Sequence, residues 1–142
     1  MIYTSYFGNI RKINAAFPDA ALISIAGKSP DWYNGLKYEC LAPKYSWWKE
    51  WHDKFKDDYD STESMMFYSM RYAQTVLSGL DPHEVKCDLY NMANAKTVFL
   101  LCYETPEKFC HRKLVADWLT SNHVNCCEWN SEKKEGRNED KK

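Results

Sequence analysis

The feature that most constrains the fold is a nearly unbroken apolar run near residue 100. The run reads Lys96-Thr97-Val98-Phe99-Leu100-Leu101-Cys102. A strand in the middle of a parallel sheet needs such a run, because helices cover both of its faces. We therefore expect an α/β protein, a three-layer sandwich whose mainly parallel, Rossmann-like sheet is flanked by helices. The run is far shorter than the roughly 20 residues of a membrane-spanning helix, so we expect no membrane partner.

The rest of the chain predicts alternating strands and helices. Further strands are predicted at residues 2–7, 21–26 and 124–129, and helices at residues 10–17, 46–55, 61–78, 82–92 and 111–122. Residues 31–44 have no clear period, so we predict irregular structure there. The helix that stops at Gly79 carries two apolar stripes, one of them with Met66 and Met70. This wide apolar face predicts deep burial of the helix.

Length and charge limit the number of domains and the classes of partner. A chain of 142 residues can bury a sheet between helices, and we predict one domain at residues 1–129. Charged residues replace apolar ones after that, which predicts a disordered tail at residues 130–142. The formal net charge of −1 gives no general attraction for polyanions. Nucleic acid would therefore have to bind through a local arrangement of side chains.

The N-terminus and the cysteines indicate the compartment. Residues 1–5 show no basic segment followed by an apolar stretch, so no secretory signal is predicted and we expect a cytoplasmic protein. The six cysteines could suggest a disulfide scaffold, but that device is typical of small exported domains. We therefore predict free thiols.

Residues 102–112 carry the most chemically specific pattern. Cys102 ends the central strand, Glu104 follows two residues later, and Cys110-His111-Arg112 open the next helix. The carboxyl edge of a parallel sheet gathers free backbone N–H groups, the positive end of a helix and side chains from several loops. These residues therefore predict an anion-binding or active site at a strand-to-helix junction.

Each residue type suggests a role in that site. Arg112 offers a planar fork for phosphate or carboxylate, and Lys28 and Ser5 are predicted to reach the same ligand from neighbouring strand ends. Glu104 would act as a general base or orient a hydroxyl group. Cys102 or Cys110 would be a nucleophile, and His111 would move a proton. The sequence does not decide which thiol reacts.

Other interpretations of the same residues stay open. The cysteines could fill the core, Glu104 and Arg112 could form a structural ion pair, and His111 could cap the helix. Zinc could bind Cys102, Cys110 and His111 together with Cys126, Cys127 or His123, but the spacing lacks a paired Cys-x-x-Cys. Gly27-Lys28-Ser29 is not a P-loop, because Leu22 stands where that motif needs glycine. We therefore predict no metal and no cofactor.

The motif also resembles a known family. A strand followed by Cys102-x-Glu104-x-Pro106-x-x-Phe109-Cys110-His111-Arg112 and an apolar helix is similar to the hallmark of the family catalogued as domain of unknown function 488. The likeness extends to residues 3–7, 24–32 and 38–43, and covers about residues 2–129. Many members carry an Asp and an Arg after the second strand, where this chain has Ser24 and Lys28. The resemblance implies a three-layer α/β sandwich and no settled activity.

The leading hypothesis is a small enzyme that acts on a nucleotide-like or phosphate-bearing substrate. The alternatives are a binding protein that captures a nucleotide, nucleic acid or protein partner in the same cleft, and a zinc-stabilised interaction module. Turnover separates the first two, because a binder leaves its ligand intact.

Overall fold

The sheet confirms the predicted fold class. The computed structural model describes residues 1–94, 97–105 and 108–129, so the predicted tail at 130–142 lies outside the described residues. Within them, five parallel strands pair in the order β3-β2-β4-β1-β5. The strands are β1 (Ile2–Tyr6), β2 (Ala21–Ser24), β3 (Leu36–Lys37), β4 (Val98–Cys102) and β5 (Cys126–Glu128). The apolar run predicted to be central is β4, which lies between β1 and β2.

Helices cover both faces of this sheet. They are α1 (Ile10–Ala16), α2 (Tyr45–Phe55), α3 (Thr62–Thr75), α4 (Pro82–Ala93) and α5 (His111–Ser121), with short 3-10 turns at Phe7–Asn9, Glu39–Leu41 and Leu77–Gly79. Because side chains alternate along a strand, Val98 and Leu100 pack towards α4 and α5, whereas Phe99 and Leu101 pack on the side of α1. The result is the expected three-layer sandwich.

Two predictions about local structure were wrong. Residues 31–44 are not wholly irregular, because Leu36–Lys37 add a two-residue edge strand to β2. The second stripe of α3 is not buried, since Met66 is 58% exposed and Met70 is 56% exposed. The face that α3 buries carries Tyr68 and Tyr72, because one stripe is enough for a helix that packs on one side only.

No helix in the described ranges combines the length and the apolar character needed to cross a bilayer.

The start of α4 provides a test of the fold. The Asp81 carboxylate accepts hydrogen bonds from the backbone N–H groups of His83 and Glu84. Replacing Asp81 with alanine should lower the free energy of unfolding by about 1 kcal/mol, the usual cost of losing an N-cap. Urea denaturation followed by circular dichroism would measure this, with the exposed Asp57→Ala as the control. Equal stability of the two variants would contradict the capping role.

Candidate active site

The candidate site lies where β4 ends and α5 begins. Cys102 is the last residue of β4 and pairs in register with Tyr6 at the end of β1. Cys110 has extended backbone angles and precedes His111, the first residue of α5. The predicted strand-to-helix junction is therefore present, although Pro106 of the motif lies outside the described residues.

Arg112 holds this junction together from inside. Its side chain is wholly buried, and Nε and Nη2 donate to the two carboxylate oxygens of Glu128 on β5 at 2.9 and 3.0 Å. Nη1 donates to Cys102 Sγ at 3.1 Å and to the backbone carbonyl of Glu104. The Thr4 hydroxyl donates to Glu128 Oε1 at 2.6 Å. One guanidinium thus connects β4, β5 and the loop before α5.

These contacts revise the predicted role of Arg112. A guanidinium fork can grip a substrate phosphate only when its N–H groups face the ligand, and here they face Glu128, Cys102 and a loop carbonyl. A buried cation also needs a paired anion, which Glu128 supplies. The geometry makes Arg112 a positioning residue and does not support its direct contact with substrate.

His111 is held in one orientation by the backbone of the loop after β2. Its Nε2 lies 2.7 Å from the carbonyl oxygen of Ile25, and its Nδ1 lies 3.7 Å from Cys110 Sγ. Burial, with a smaller effect of the Arg112 charge, lowers the pKa of His111 to about 4, so the ring is neutral at pH 7. A neutral ring that donates from Nε2 leaves the lone pair of Nδ1 directed towards Cys110.

The structure brings the two cysteines and the histidine together. Sγ of Cys102, Sγ of Cys110 and a ring nitrogen of His111 all lie within 4.8 Å of one another, and all three residues are buried. The Sγ atoms of Cys102 and Cys110 are in contact, but the two Cα atoms are 7.6 Å apart, farther than the roughly 6.8 Å that a disulfide spans. This contact therefore does not contradict the prediction of free thiols, which is confirmed for the other four cysteines, Cys40, Cys87, Cys126 and Cys127.

The other residues considered for zinc are not part of this cluster within the described chain. Cys126 lies on β5, and burial, with nearby acidic groups, raises the pKa of its thiol to about 12. Cys127 and His123 are exposed. A four-ligand site with any of these three as the fourth ligand is therefore not formed.

Glu104 differs from Arg112 in its exposure. Its carbonyl is bonded to Arg112, but the residue is exposed to solvent. Burial, and after it the negative charge of Glu104, raises the pKa of Tyr68 on α3. The Glu104 carboxylate is therefore accessible on the side of the sheet that α3 covers.

A pocket of about 310 Å³ lies in the loop after β2. It is lined by Ala26, Gly27, Lys28, Ser29, Pro30, Asp31, Tyr33, Lys37 and Glu39. Ile25, the residue before the pocket, donates its N–H to the Leu101 carbonyl at 3.0 Å and accepts from His111. Lys28 thus lies in a pocket at the same sheet edge as Cys102 and His111.

Ser5 does not face that pocket. It is wholly buried, and its hydroxyl oxygen accepts a hydrogen bond from the Asn9 side-chain amide at 3.1 Å. The prediction that Ser5 binds substrate is therefore unsupported, because the alternation of side chains along β1 turns this hydroxyl towards the turn after its own strand.

Two exposed aromatic residues near the pocket were not identified from the sequence. Trp32 is 64% exposed and Tyr103 is 51% exposed, and both rings pack edge-on against Phe7, with centroid distances of 6.3 and 5.1 Å. The sequence signal that could have identified Trp32 is its place in the loop after β2, between Asp31 and Tyr33, which line the pocket. Trp47 on α2 is buried against Tyr68.

Comparison with known proteins adds one finding to this geometry. A family model described as "DUF488-N3a: Active DUF488-N3 subclade" matches residues 18–123, more than half of the chain. The protein belongs to the DUF488 family. The matched part of this DUF488 protein includes the pocket loop and Cys102 to Arg112, but neither β1 nor Glu128. No curated protein and no solved structure matches the chain.

Proposed function

We propose that this DUF488 protein is a small cytoplasmic enzyme that acts on a nucleotide-like or phosphate-bearing substrate at the carboxyl edge of its sheet. The observation that carries the proposal is the convergence of Cys102, Cys110 and His111 within 4.8 Å of one another, with His111 bonded to Ile25, the residue that precedes the pocket loop. Thiols and an imidazole gathered at the end of a central strand are a typical reacting centre. The description of the family model as an active subclade supports catalysis over binding alone.

The pocket supplies the groups that an anionic substrate needs. Lys28 and Lys37 line it and can pair with a phosphate, while the Ser29 hydroxyl, which lies 2.7 Å from the Ser24 hydroxyl, can take part in a hydrogen bond. Glu104 is the exposed carboxylate of the motif and would act as the general base or orient a sugar hydroxyl. Arg112 would position Cys102 and the loop rather than contact substrate.

The exposed aromatic residues support a ligand with a base. Trp32 and Tyr103 pack on the same side chain, Phe7, and exposed aromatic rings next to cationic groups bind nucleobases by stacking. A sugar phosphate would use the lysines alone. The proposed substrate class therefore predicts that nucleotides bind more tightly than inorganic phosphate.

Replacing Trp32 with alanine tests this prediction. We expect it to weaken the binding of nucleoside monophosphates by about 1–3 kcal/mol, the usual value for one stacked base, while Lys28→Ala weakens nucleotides and inorganic phosphate alike. Isothermal titration would measure both. The control is Tyr45→Ala, which removes another exposed aromatic side chain, 69% exposed on α2, and should change neither affinity.

Turnover decides between an enzyme and a binding protein. Wild-type protein should convert one member of a nucleotide and sugar-phosphate library within hours, as followed by mass spectrometry, whereas Cys110→Ser should not. If every ligand that binds is recovered intact, the protein is a non-catalytic binder. If Trp32→Ala and Lys28→Ala bind all ligands as the wild type does, the substrate lies elsewhere.

A further inference from the structure

We propose that the thiolates of Cys102 and Cys110 and the imidazole of His111 bind one zinc ion and leave its fourth position open. The three ligand atoms already lie within 4.8 Å of one another and are buried. Thiolate and imidazole are the ligands that zinc prefers. Neither the family description nor the motif spacing assigns a metal to these residues.

The imidazole has the orientation of a metal ligand. A histidine that binds a metal through one nitrogen usually donates its other N–H to a carbonyl or a carboxylate, which fixes the ring. Nε2 of His111 has such a partner in the Ile25 carbonyl, and Nδ1 is 3.7 Å from Cys110 Sγ. A sulfur and a nitrogen bound to one tetrahedral zinc lie about 3.5 Å apart, given bond lengths of about 2.3 and 2.0 Å.

The surroundings of Cys102 suit a thiolate ligand. Nη1 of Arg112 donates to Cys102 Sγ at 3.1 Å, and such N–H donors in the outer shell stabilise a metal-bound thiolate. Charges also balance, because two thiolates neutralise the zinc ion and Glu128 neutralises Arg112. A buried centre without net charge avoids the large cost of burying an unpaired ion.

The backbone spacing agrees with a shared ion. The Cα atoms of Cys102 and Cys110 are 7.6 Å apart, beyond the roughly 4.4–6.8 Å of ordinary disulfides. Two cysteines whose thiolates bind the same zinc ion can have Cα atoms farther apart than that. Zinc binds thiolates, so it displaces the proton of each of the two thiols as it binds.

The number of ligands indicates the kind of zinc site. Structural zinc has four protein ligands, whereas catalytic zinc has three and a water molecule or substrate. The cluster offers three among the residues that the structure describes. A water molecule in the fourth position would be activated as a nucleophile. This catalytic role rests on the proposed function, whereas zinc binding itself does not depend on it.

Metal analysis of the full chain purified with a phosphine reductant tests the proposal. We expect about one zinc per chain, as a site of this kind holds a single ion, and at least a tenfold loss of zinc in Cys110→Ser and His111→Gln. The controls are Cys126→Ala, which removes a buried thiol outside the cluster, and Cys87→Ser. Both should retain the zinc of the wild type.

Replacement of zinc by cobalt gives a second readout that needs no substrate. The cobalt protein should show a thiolate-to-metal charge-transfer band and the visible bands of a tetrahedral ion, and Cys110→Ser should lose the charge-transfer intensity of one thiolate. Natively folded, reduced protein with neither stoichiometric zinc nor cobalt bands would overturn the site. If reduced protein without metal still turned over a nucleotide, the zinc site would be wrong and the proposed function would stand. If zinc-loaded protein showed no turnover, the zinc site would stand and the proposed function would be wrong.

Discussion

Replacing Arg112 with alanine should lower the free energy of unfolding by about 3 kcal/mol. Removing one partner of a buried ion pair costs about 3–5 kcal/mol because the other charge is left unpaired, and the lower end applies since the Glu128 side chain is 27% exposed. The Glu104 carbonyl and Cys102 Sγ also lose their donor. Urea denaturation followed by circular dichroism would measure the loss.

Arg71 provides a matched control for this prediction. It forms an ion pair with Glu50 at 3.4 Å, but both side chains are exposed, at 39% and 53%. Arg71→Ala should therefore cost less than about 1 kcal/mol. The double variant Arg112→Ala/Glu128→Ala should be more stable than the sum of the single changes predicts, since no charge is left unpaired. If Arg112→Ala costs no more than Arg71→Ala, Arg112 does not hold the junction.

Replacing Tyr72 with alanine should have a comparable effect, about 3–5 kcal/mol, because it leaves a cavity in the core. Tyr72 is wholly buried on α3, its hydroxyl donates to the Leu41 carbonyl at 2.6 Å, and its ring lies 5.5 Å from the His111 ring. The side chain therefore supports the histidine of the cluster from the helix side. Urea denaturation measures the stability, and zinc content reports the effect on the cluster.

Tyr72→Phe separates the hydroxyl from the ring. It keeps the packing against His111 and should cost only about 1–2 kcal/mol, for the hydrogen bond to Leu41 that is lost. The exposed Tyr45→Ala should lie within about 0.5 kcal/mol of wild type. A loss in Tyr72→Ala no larger than that in Tyr72→Phe would show that the ring contributes little.

Much of the fold could be predicted because its signals are local. The apolar run of β4 and the capping residues of α3 and α4, Ser61 and Asp81, are each read within a few residues. The edge strand Leu36–Lys37 has only two residues, both exposed, so it has no period to detect. The exposed stripe of α3 was misjudged because an apolar pattern does not show how many sides of a helix are covered.

The candidate site was predicted in place but not in its internal contacts. Cys110 and His111 follow Cys102 by eight and nine residues, so a strand-to-helix junction brings the three together. The partner of Arg112 is 16 residues away on β5, and the carbonyl that holds His111 is 86 residues away in the loop after β2. Such contacts depend on the order of strands in the sheet, which the motif does not encode.

X-ray absorption at the zinc edge of the reduced protein tests most directly whether the two cysteines and the histidine meet at one point. We expect two sulfur atoms at about 2.3 Å and one imidazole nitrogen at about 2.0 Å from the zinc ion, with a further light atom in the fourth position. Reduced, folded protein without zinc, or a zinc shell that lacks either sulfur or the imidazole, would contradict it.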